Sequence, residues 1–151
     1  MTVQHISEII QRDLNKIKEE LLQYKNSRDL WYVIPGISNS GGNLCLHLAG
    51  NLRHFIGAVL GNSGYSRERE LEFSQKDLDM DFLIQLIDTT MVEVKSTLEQ
   101  LDPGRLPEAF PKDIGGINRD THYALLHLMS HLGYHLGQIN YHRRIISSLQ
   151  M

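Results

Sequence analysis

A sixteen-residue stretch near the carboxyl end, HLMSHLGYHLGQINYH (residues 127–142), contains four of the chain's eight histidines. On an α-helix, residues four apart are neighbours, with Cβ atoms about 5–6 Å apart. Two imidazoles at that spacing can bind one ion through metal–nitrogen bonds of about 2.0–2.1 Å. His131 and His135 form such a pair, and His127 with His131 is the competing choice. The stretch therefore predicts a metal site on one helix face.

The histidine face of this predicted helix is expected to point into the protein. At 100° per residue, the four histidines cover an arc of about 80°. Leucine and isoleucine residues border one edge of the arc, and Tyr134 and Tyr141 border the other. Buried histidines need partners, because each ring carries both a donor and an acceptor. Hydrogen-bonded histidines are also common on ordinary helices, so the spacing alone leaves both interpretations open.

A third ligand is expected from an earlier helix with the sequence NLCLHLAGNLRHFIGAVL, residues 43–60. Leu44, Leu48 and Phe55 border one edge of the face that carries His47, which predicts an inward-facing side chain. One histidine from this helix and the HxxxH pair of the last helix would make a three-histidine site. Such a site leaves a coordination position open for water or substrate, which is typical of catalytic rather than structural metal sites.

Residues beside these histidines could orient the ligands or contact a cofactor or substrate. Four positions are predicted for this role: Asn51, His54, Tyr134 and Gln138. Among them, His54 alone titrates near neutrality. His127 and His142 share the ligand face and are expected to be hydrogen-bonded neighbours or rim residues rather than ligands. The sequence assigns no catalytic residue and no general base.

Four amphipathic segments must position these side chains, and no strand pattern is evident. Apolar residues recur at three- and four-residue intervals in each segment. The predicted helices cover about residues 3–25, a stretch from a cap at Ser38, Asn39 or Ser40 to Leu60, residues 79–101, and residues 118–149. The pattern predicts an all-α four-helix bundle forming a single domain over residues 1–151. The connections 26–40 and 102–117 exceed the usual 2–8 residues, so a crossover topology is plausible.

Composition narrows the class of protein and its partners. Lys and Arg total 15 against 18 Asp and Glu, a net charge of −3, which provides no basic surface for nucleic acid or an anionic membrane. The charged amino-terminal sequence does not fit a signal peptide, and no apolar run approaches the ~20 residues of a membrane span. The single cysteine, Cys45, cannot form an internal disulfide. A cytoplasmic protein acting on a small molecule is expected.

Three further features have simpler expected roles. Cys45 lies away from the His47 face, which favours a small buried residue over a nucleophile. The segment RERELEF, residues 67–73, is predicted to be solvated and salt-bridged, although it could border a pocket mouth. Gly133, Gly137 and Asn140 lie on the far face of the last helix, where small residues could permit close packing in a dimer.

The two histidine elements resemble the DinB-like superfamily. HLAGNLRHFIG on the second helix is followed by SHLGYHLGQINYHRR on the last, about 84 residues later. The second element matches H-x-x-x-H-x-G-Q-[IL], the hallmark of the superfamily's last helix, and the helical layout matches over essentially the whole chain. The chain departs from the commonest pattern at His54, at Leu136, where Arg is frequent, and in RERELEF.

The resemblance implies a four-helix bundle with up-down-down-up topology and long crossover connections. It implies a divalent metal, zinc, nickel or iron, held by His47, His131 and His135, and a homodimer. Some superfamily members are thiol S-transferases or isomerases that use low-molecular-weight thiols such as bacillithiol, mycothiol or glutathione. The departures leave the substrate and the thiol undetermined.

Three hypotheses for function follow. The first is a metal-dependent thiol S-transferase acting on small electrophiles. The second is a hydrolase that uses metal-bound hydroxide at the same site. The third is a non-catalytic, metal- or ligand-binding stress-response protein. A thiol requirement would separate the first two, and a coordination sphere closed by protein ligands would favour the third.

Overall fold

The computed structural model describes residues 2–116 and 118–149, and these residues form helices joined by loops without any strand. An isolated antiparallel bridge joins Ala109 to Asp120. The helices are α1 (Thr2–Leu21), α2 (Ser27–Trp31), α3 (Gly41–Leu52, continued by a π-helix over Arg53–Leu60), α4 (Arg69–Ser74), α5 (Met80–Gln100) and α6 (Thr121–Leu149), with a short 3₁₀ turn at Pro103–Arg105. The all-helical prediction is therefore confirmed, and the architecture is compatible with a helical bundle.

The ends of the long helices follow local capping chemistry. Of the three predicted caps, Ser40 begins α3, and its Oγ accepts a hydrogen bond from the backbone N–H of Asn43 at 3.1 Å. Asp120 caps α6 by accepting from the backbone N–H of Tyr123 at 2.8 Å. The first helix ends at Leu21, four residues earlier than predicted. The short helices α2 and α4 lie in segments that were predicted to be loops.

The core is formed by the apolar faces of the four long helices. α1 packs against α5 and α6, and α3 packs against the same two helices. The apolar faces of α1 and α5 are buried or partly buried, except that Phe82 is 48% exposed. Phe82 lies about 100° around the helix from Leu83. The buried stripe through Leu83, Ile87, Thr90, Val94 and Leu98 leaves Phe82 at its solvent edge.

Two residues of the predicted small-residue face of α6, Gly133 and Asn140, lie against α1 within the same chain, whereas Gly137 is exposed. Asn140 donates a hydrogen bond from Nδ2 to Oε1 of Glu20 at 2.7 Å, and Arg143 pairs with the same carboxylate. A β-carbon at Gly133 would lie 4.0 Å from the carboxylate of Asp13. Gly133 and Asn140 therefore serve packing inside the chain rather than offering a free face for a dimer.

Cys45 is fully buried in α3, as predicted. Burial raises the pKa of its thiol to about 12, so the group stays protonated at neutral pH. No helix among the described residues combines the length and apolar character needed to cross a bilayer.

Candidate metal centre

Three histidines from two helices converge at one point between α3 and α6. Nε2 of His131 lies 3.2 Å from Nε2 of His47 and 3.1 Å from Nε2 of His135. The three potential ligand atoms all lie within 4.8 Å of one another. Nitrogen ligands of a tetrahedral zinc ion at about 2.0–2.1 Å are roughly 3.3–3.4 Å apart. The structure thus brings together the three residues predicted as ligands, at spacings suited to a shared ion.

The outward nitrogens of two of these rings have acceptor partners, which fixes where their protons lie. Nδ1 of His47 donates to Oε1 of Glu72 at 3.0 Å, and Nδ1 of His135 donates to Oε1 of Gln138 at 2.6 Å. A neutral imidazole carries one ring proton, so Nε2 of both rings presents a lone pair. Both lone pairs are directed at Nε2 of His131.

His131 cannot satisfy both neighbours with its own single proton. A proton on its Nε2 could be donated to only one of the two neighbouring nitrogens, and the other nitrogen would be left without a donor. A proton on its Nδ1 would leave three lone pairs facing one another. That Nδ1 is buried and has no hydrogen-bond partner among the described residues. A cation shared by the three Nε2 atoms removes the conflict, so the donor set fits a metal ion.

The environment keeps two of the three histidine rings, those of His131 and His135, neutral. Burial, followed by the neighbouring His135 and His47, lowers the pKa of His131 to about 4. Burial also lowers the pKa of His135, although its hydrogen bond with Gln138 opposes the shift. Because a protonated imidazole cannot bind a metal, these shifts leave both rings available as ligands at neutral pH.

The buried carboxylate of Glu72, from α4, supports the ring of His47. Its two oxygens accept two hydrogen bonds of 2.7 Å from the guanidinium of Arg67, in the bidentate geometry favoured by such pairs. The ring of Phe73 also lies against His47, with centroids 4.9 Å apart. Burial alone would raise the pKa of Glu72, but the hydrogen bonds from Arg67 and His47 outweigh it, and the net shift is downward.

The prediction that RERELEF is salt-bridged is confirmed by the pair between Arg67 and Glu72, but the prediction that it is solvated is wrong for these two residues. Glu72 is 6% exposed, and the side chain of Arg67 is 10% exposed. A β-carbon at position 50 would collide with the Glu72 carboxylate, so Gly50 allows α4 to approach α3 this closely. The segment therefore supplies the carboxylate that accepts a hydrogen bond from His47, and that carboxylate also forms an ion pair with Arg67.

The four residues predicted as ligand or substrate contacts occupy different environments. Gln138 holds His135, as described above. Asn51 is buried one turn after His47, and its Oδ1 has no hydrogen-bond partner among the described residues. Tyr134 is 66% exposed, with its ring 5.2 Å from that of His135. His54 is half-buried, and burial together with Arg67 and Lys112 lowers its pKa.

His127 and His142 lie outside the three-histidine group. The ring of His127 stacks on that of His131 with centroids 6.4 Å apart. His142 is buried and hydrogen-bonded at both nitrogens, as predicted: Nδ1 accepts from the hydroxyl of Tyr24 at 2.7 Å, and Nε2 donates to the carbonyl of Tyr32 at 2.8 Å. His142 therefore joins α6 to the segment between α1 and α2 and to the residue that follows α2.

We expect His142 to make the protein less stable in acid. Burial lowers its pKa from the ordinary 6.5, although the bond to Tyr32 opposes the shift. Below pH 6.5 the unfolded chain binds a proton that the folded chain does not, so the free energy of unfolding falls as the pH falls. Denaturant unfolding of the metal-free protein between pH 7.5 and 5 should show a shallower pH dependence for His142→Gln than for wild type. The exposed His5→Gln variant is the control, and equal slopes for His142→Gln and wild type would contradict the assignment.

Among several concave surfaces formed by the described residues, one adjoins the histidines. A cleft of about 450 Å³ is lined in part by His135 and Gln138. A wider groove of about 900 Å³ runs between α1 and α5 and contains none of the three histidines. Because the narrower cleft borders a predicted metal ligand, it is the one that bears on function.

Fold and site together define an all-helical protein with a three-histidine group able to hold a metal ion. The chain belongs to the family described as "Protein of unknown function (DUF1572)", whose sequence pattern matches residues 2–151. A crystal structure of a conserved protein from Enterococcus faecalis is similar, with a TM-score of 0.78, 19% sequence identity and 96% of each chain covered. At that identity the likeness shows the fold alone. No curated protein matches the chain.

Proposed function

We propose that this protein is a divalent-metal-dependent enzyme that transfers a low-molecular-weight thiol to a small electrophile. The observation that carries the proposal is the convergence of three Nε2 atoms, from His47, His131 and His135, with no carboxylate among them. When bound, a zinc, nickel or iron ion would keep its full double charge beside these neutral ligands, which favours the nucleophilic thiolate form of a thiol.

An open side of the site supports catalysis over a purely structural role. Within residues 2–116 and 118–149, no fourth histidine, cysteine or carboxylate joins the three-histidine group. Glu72 is engaged by Arg67 and His47 at its two oxygens. Structural zinc sites are usually closed by four protein ligands, whereas catalytic ones have three.

The protein's own residues orient the ligands and would contact the substrate. Glu72 holds the Nδ1 proton of His47, and Gln138 holds that of His135, so each Nε2 keeps its lone pair towards the site. We assign Asn51, His54 and Tyr134 as substrate contacts. The unpartnered Oδ1 of Asn51 and the exposed ring of Tyr134 beside His135 support that assignment.

We further infer a DinB-like four-helix bundle with up-down-down-up topology. Contacts between residues near corresponding ends support parallel directions for α1 and α6, with Asp13 near Gly133 and Glu20 near Arg143. Contacts in the opposite order support antiparallel α3 and α6, with Gly41 near His142 and His47 near His131.

The same reasoning extends to the other pairs. Gln11 contacts Met91 and Lys18 pairs with Asp88, which indicates antiparallel α1 and α5. Arg53 pairs with Glu93, and Gly61 lies against Thr97, which indicates that α5 runs parallel to the helix over residues 41–60. From the resemblance we also propose that the protein is a cytoplasmic homodimer. Sedimentation analysis would test the oligomeric state.

The proposal is tested by the thiol requirement of the metal-loaded protein. Protein loaded with zinc, nickel or iron should accelerate loss of free glutathione or bacillithiol in the presence of 1-chloro-2,4-dinitrobenzene, and chelation or His131→Ala should abolish the acceleration. Metal-dependent ester hydrolysis without thiol would favour the hydrolase instead. Bound metal without either activity would favour a non-catalytic binding protein.

A further inference from the structure

The cleft beside His135 has an uncharged and partly aromatic lining. It lies between α6 and the segment that precedes α3, and its volume is about 450 Å³. Tyr134 and Tyr141 contribute rings from α6, and Ile37 contributes an apolar side chain from the facing segment. No aspartate, glutamate, lysine or arginine is among the described residues that line it.

We propose that this cleft binds the acceptor substrate, and that the acceptor is a neutral aromatic molecule. This inference rests on the proposed function, because it assumes that the molecule in the cleft is the electrophile that receives the thiol. It goes further by naming the binding site of the electrophile and its chemical class.

The size and position of the cleft suit a small molecule that reacts beside the three histidines. Ligand pockets for small molecules commonly measure about 300–1,000 Å³. His135, whose Nε2 faces the other two histidines, forms part of the wall, and so does its partner Gln138. A molecule in the cleft would therefore lie against the ring that borders the site.

The two tyrosines offer faces on which an aromatic ring can stack. Tyr134 is 66% exposed and Tyr141 is 67% exposed, and both line the cleft. Their ring faces are therefore accessible to a molecule in the cleft. Tyr134 already meets His135 in an edge-to-face arrangement. Aromatic rings favour edge-to-face and offset-stacked contacts, so a further ring can extend this arrangement.

The charges of the lining side chains disfavour an ionised acceptor in the metal-free protein. An ion that entered the metal-free cleft would lose hydration without gaining an oppositely charged partner from the lining. Both nitrogens of His142, another lining residue, are occupied by Tyr24 and Tyr32. The guanidinium of Arg144 lies 5.9 Å from the centre of the Tyr141 ring, and Arg144 is not itself a lining residue.

A chlorinated nitrobenzene illustrates the transfer with a complete balance. The sulfur of the thiolate attacks the ring carbon that bears chlorine, and a carbon–sulfur bond forms. The carbon–chlorine bond breaks, and chloride leaves with its electron pair. The thiol proton goes to solvent, and no oxidant or reductant is required.

Binding of unreactive probes tests the inference without turnover. Calorimetry should detect 1,3-dinitrobenzene binding to the metal-free wild-type protein and at least about tenfold weaker binding of 3,5-dinitrobenzoate, which adds one negative charge to the same ring. Ile37→Asp and Tyr141→Ala should each weaken dinitrobenzene binding by about tenfold or more. Tyr123→Ala is the matched control, because Tyr123 lies on the same helix with its ring against Arg119 and outside the cleft.

The outcomes separate this inference from the proposed function. Binding of dinitrobenzene that is lost in Ile37→Asp, without thiol transfer by the metal-loaded protein, would support the cleft assignment and contradict the transferase. Thiol transfer with dinitrobenzene binding that Ile37→Asp and Tyr141→Ala leave unchanged would overturn the cleft assignment alone. Equal affinity for dinitrobenzoate and dinitrobenzene would overturn the selectivity for neutral molecules.

Discussion

Replacing His131 with alanine is expected to remove metal binding from the protein. Its Nε2 lies within 3.2 Å of Nε2 in both His47 and His135, so its loss would leave two ligands separated by a gap. We expect the metal affinity to fall by more than about 100-fold, beyond the 10–100-fold loss that is typical of outer-shell partners. Elemental analysis of protein purified without a nickel column measures the effect, and His47→Ala and His135→Ala should behave alike.

Two other histidines provide matched controls for this experiment. His127 lies one turn before His131 on the same face of α6, yet it is outside the converging group. His142 is used by Tyr24 and Tyr32. His127→Ala and His142→Ala should retain near-wild-type metal content in folded protein. Equal metal content in all five variants would contradict the ligand assignment.

Replacing Glu72 is expected to weaken both metal binding and the fold. Glu72→Ala would remove the acceptor that holds His47 and would leave the buried guanidinium of Arg67 without its counter-charge. We expect a 10–100-fold loss of metal affinity. We also expect the free energy of unfolding of the metal-free protein to fall by about 3–5 kcal/mol, because one half of a buried ion pair remains. Metal titration and denaturant unfolding measure the two effects.

Two further variants separate the two roles of Glu72. The double variant Arg67→Met/Glu72→Leu removes both charges, so much of the unfolding free energy should return while metal affinity stays low. Glu93→Gln perturbs another half-buried pair, with Arg53, away from the histidines. It should lower stability without changing metal affinity. If Glu72→Ala bound metal as tightly as wild type, Glu72 would have no role in positioning His47.

The long helices could be predicted because each repeats its pattern over many turns. Twenty-residue α1 places Ile10, Leu14 and Ile17 on one buried face, and chance rarely maintains such a repeat. Helices α2 and α4 contain five and six residues, too few to show a period. Tertiary contacts hold these helices instead. In α2, for example, Nε1 of Trp31 donates a hydrogen bond to the carbonyl of Leu78.

The site was predictable where spacing along one helix decides it. His131 and His135 follow the i, i+4 rule, and the apolar border of His47 indicated an inward direction. Glu72 obeys no such rule, because it reaches His47 from another element 25 residues away. Charged RERELEF resembles a solvated segment, and only Gly50, which leaves room one turn after His47, hinted that something packs there. Folding, rather than local sequence, brings this carboxylate to the ring.

An anomalous difference map at the zinc edge, from crystals of wild-type protein loaded with zinc, tests the three-histidine metal site most directly. We expect one peak about 2.0–2.1 Å from Nε2 of His47, His131 and His135, with Glu72 hydrogen-bonded to His47 and not bound to the metal. A peak bound elsewhere on the chain, or one with Glu72 or Nδ1 atoms as its ligands, would contradict this ligand assignment.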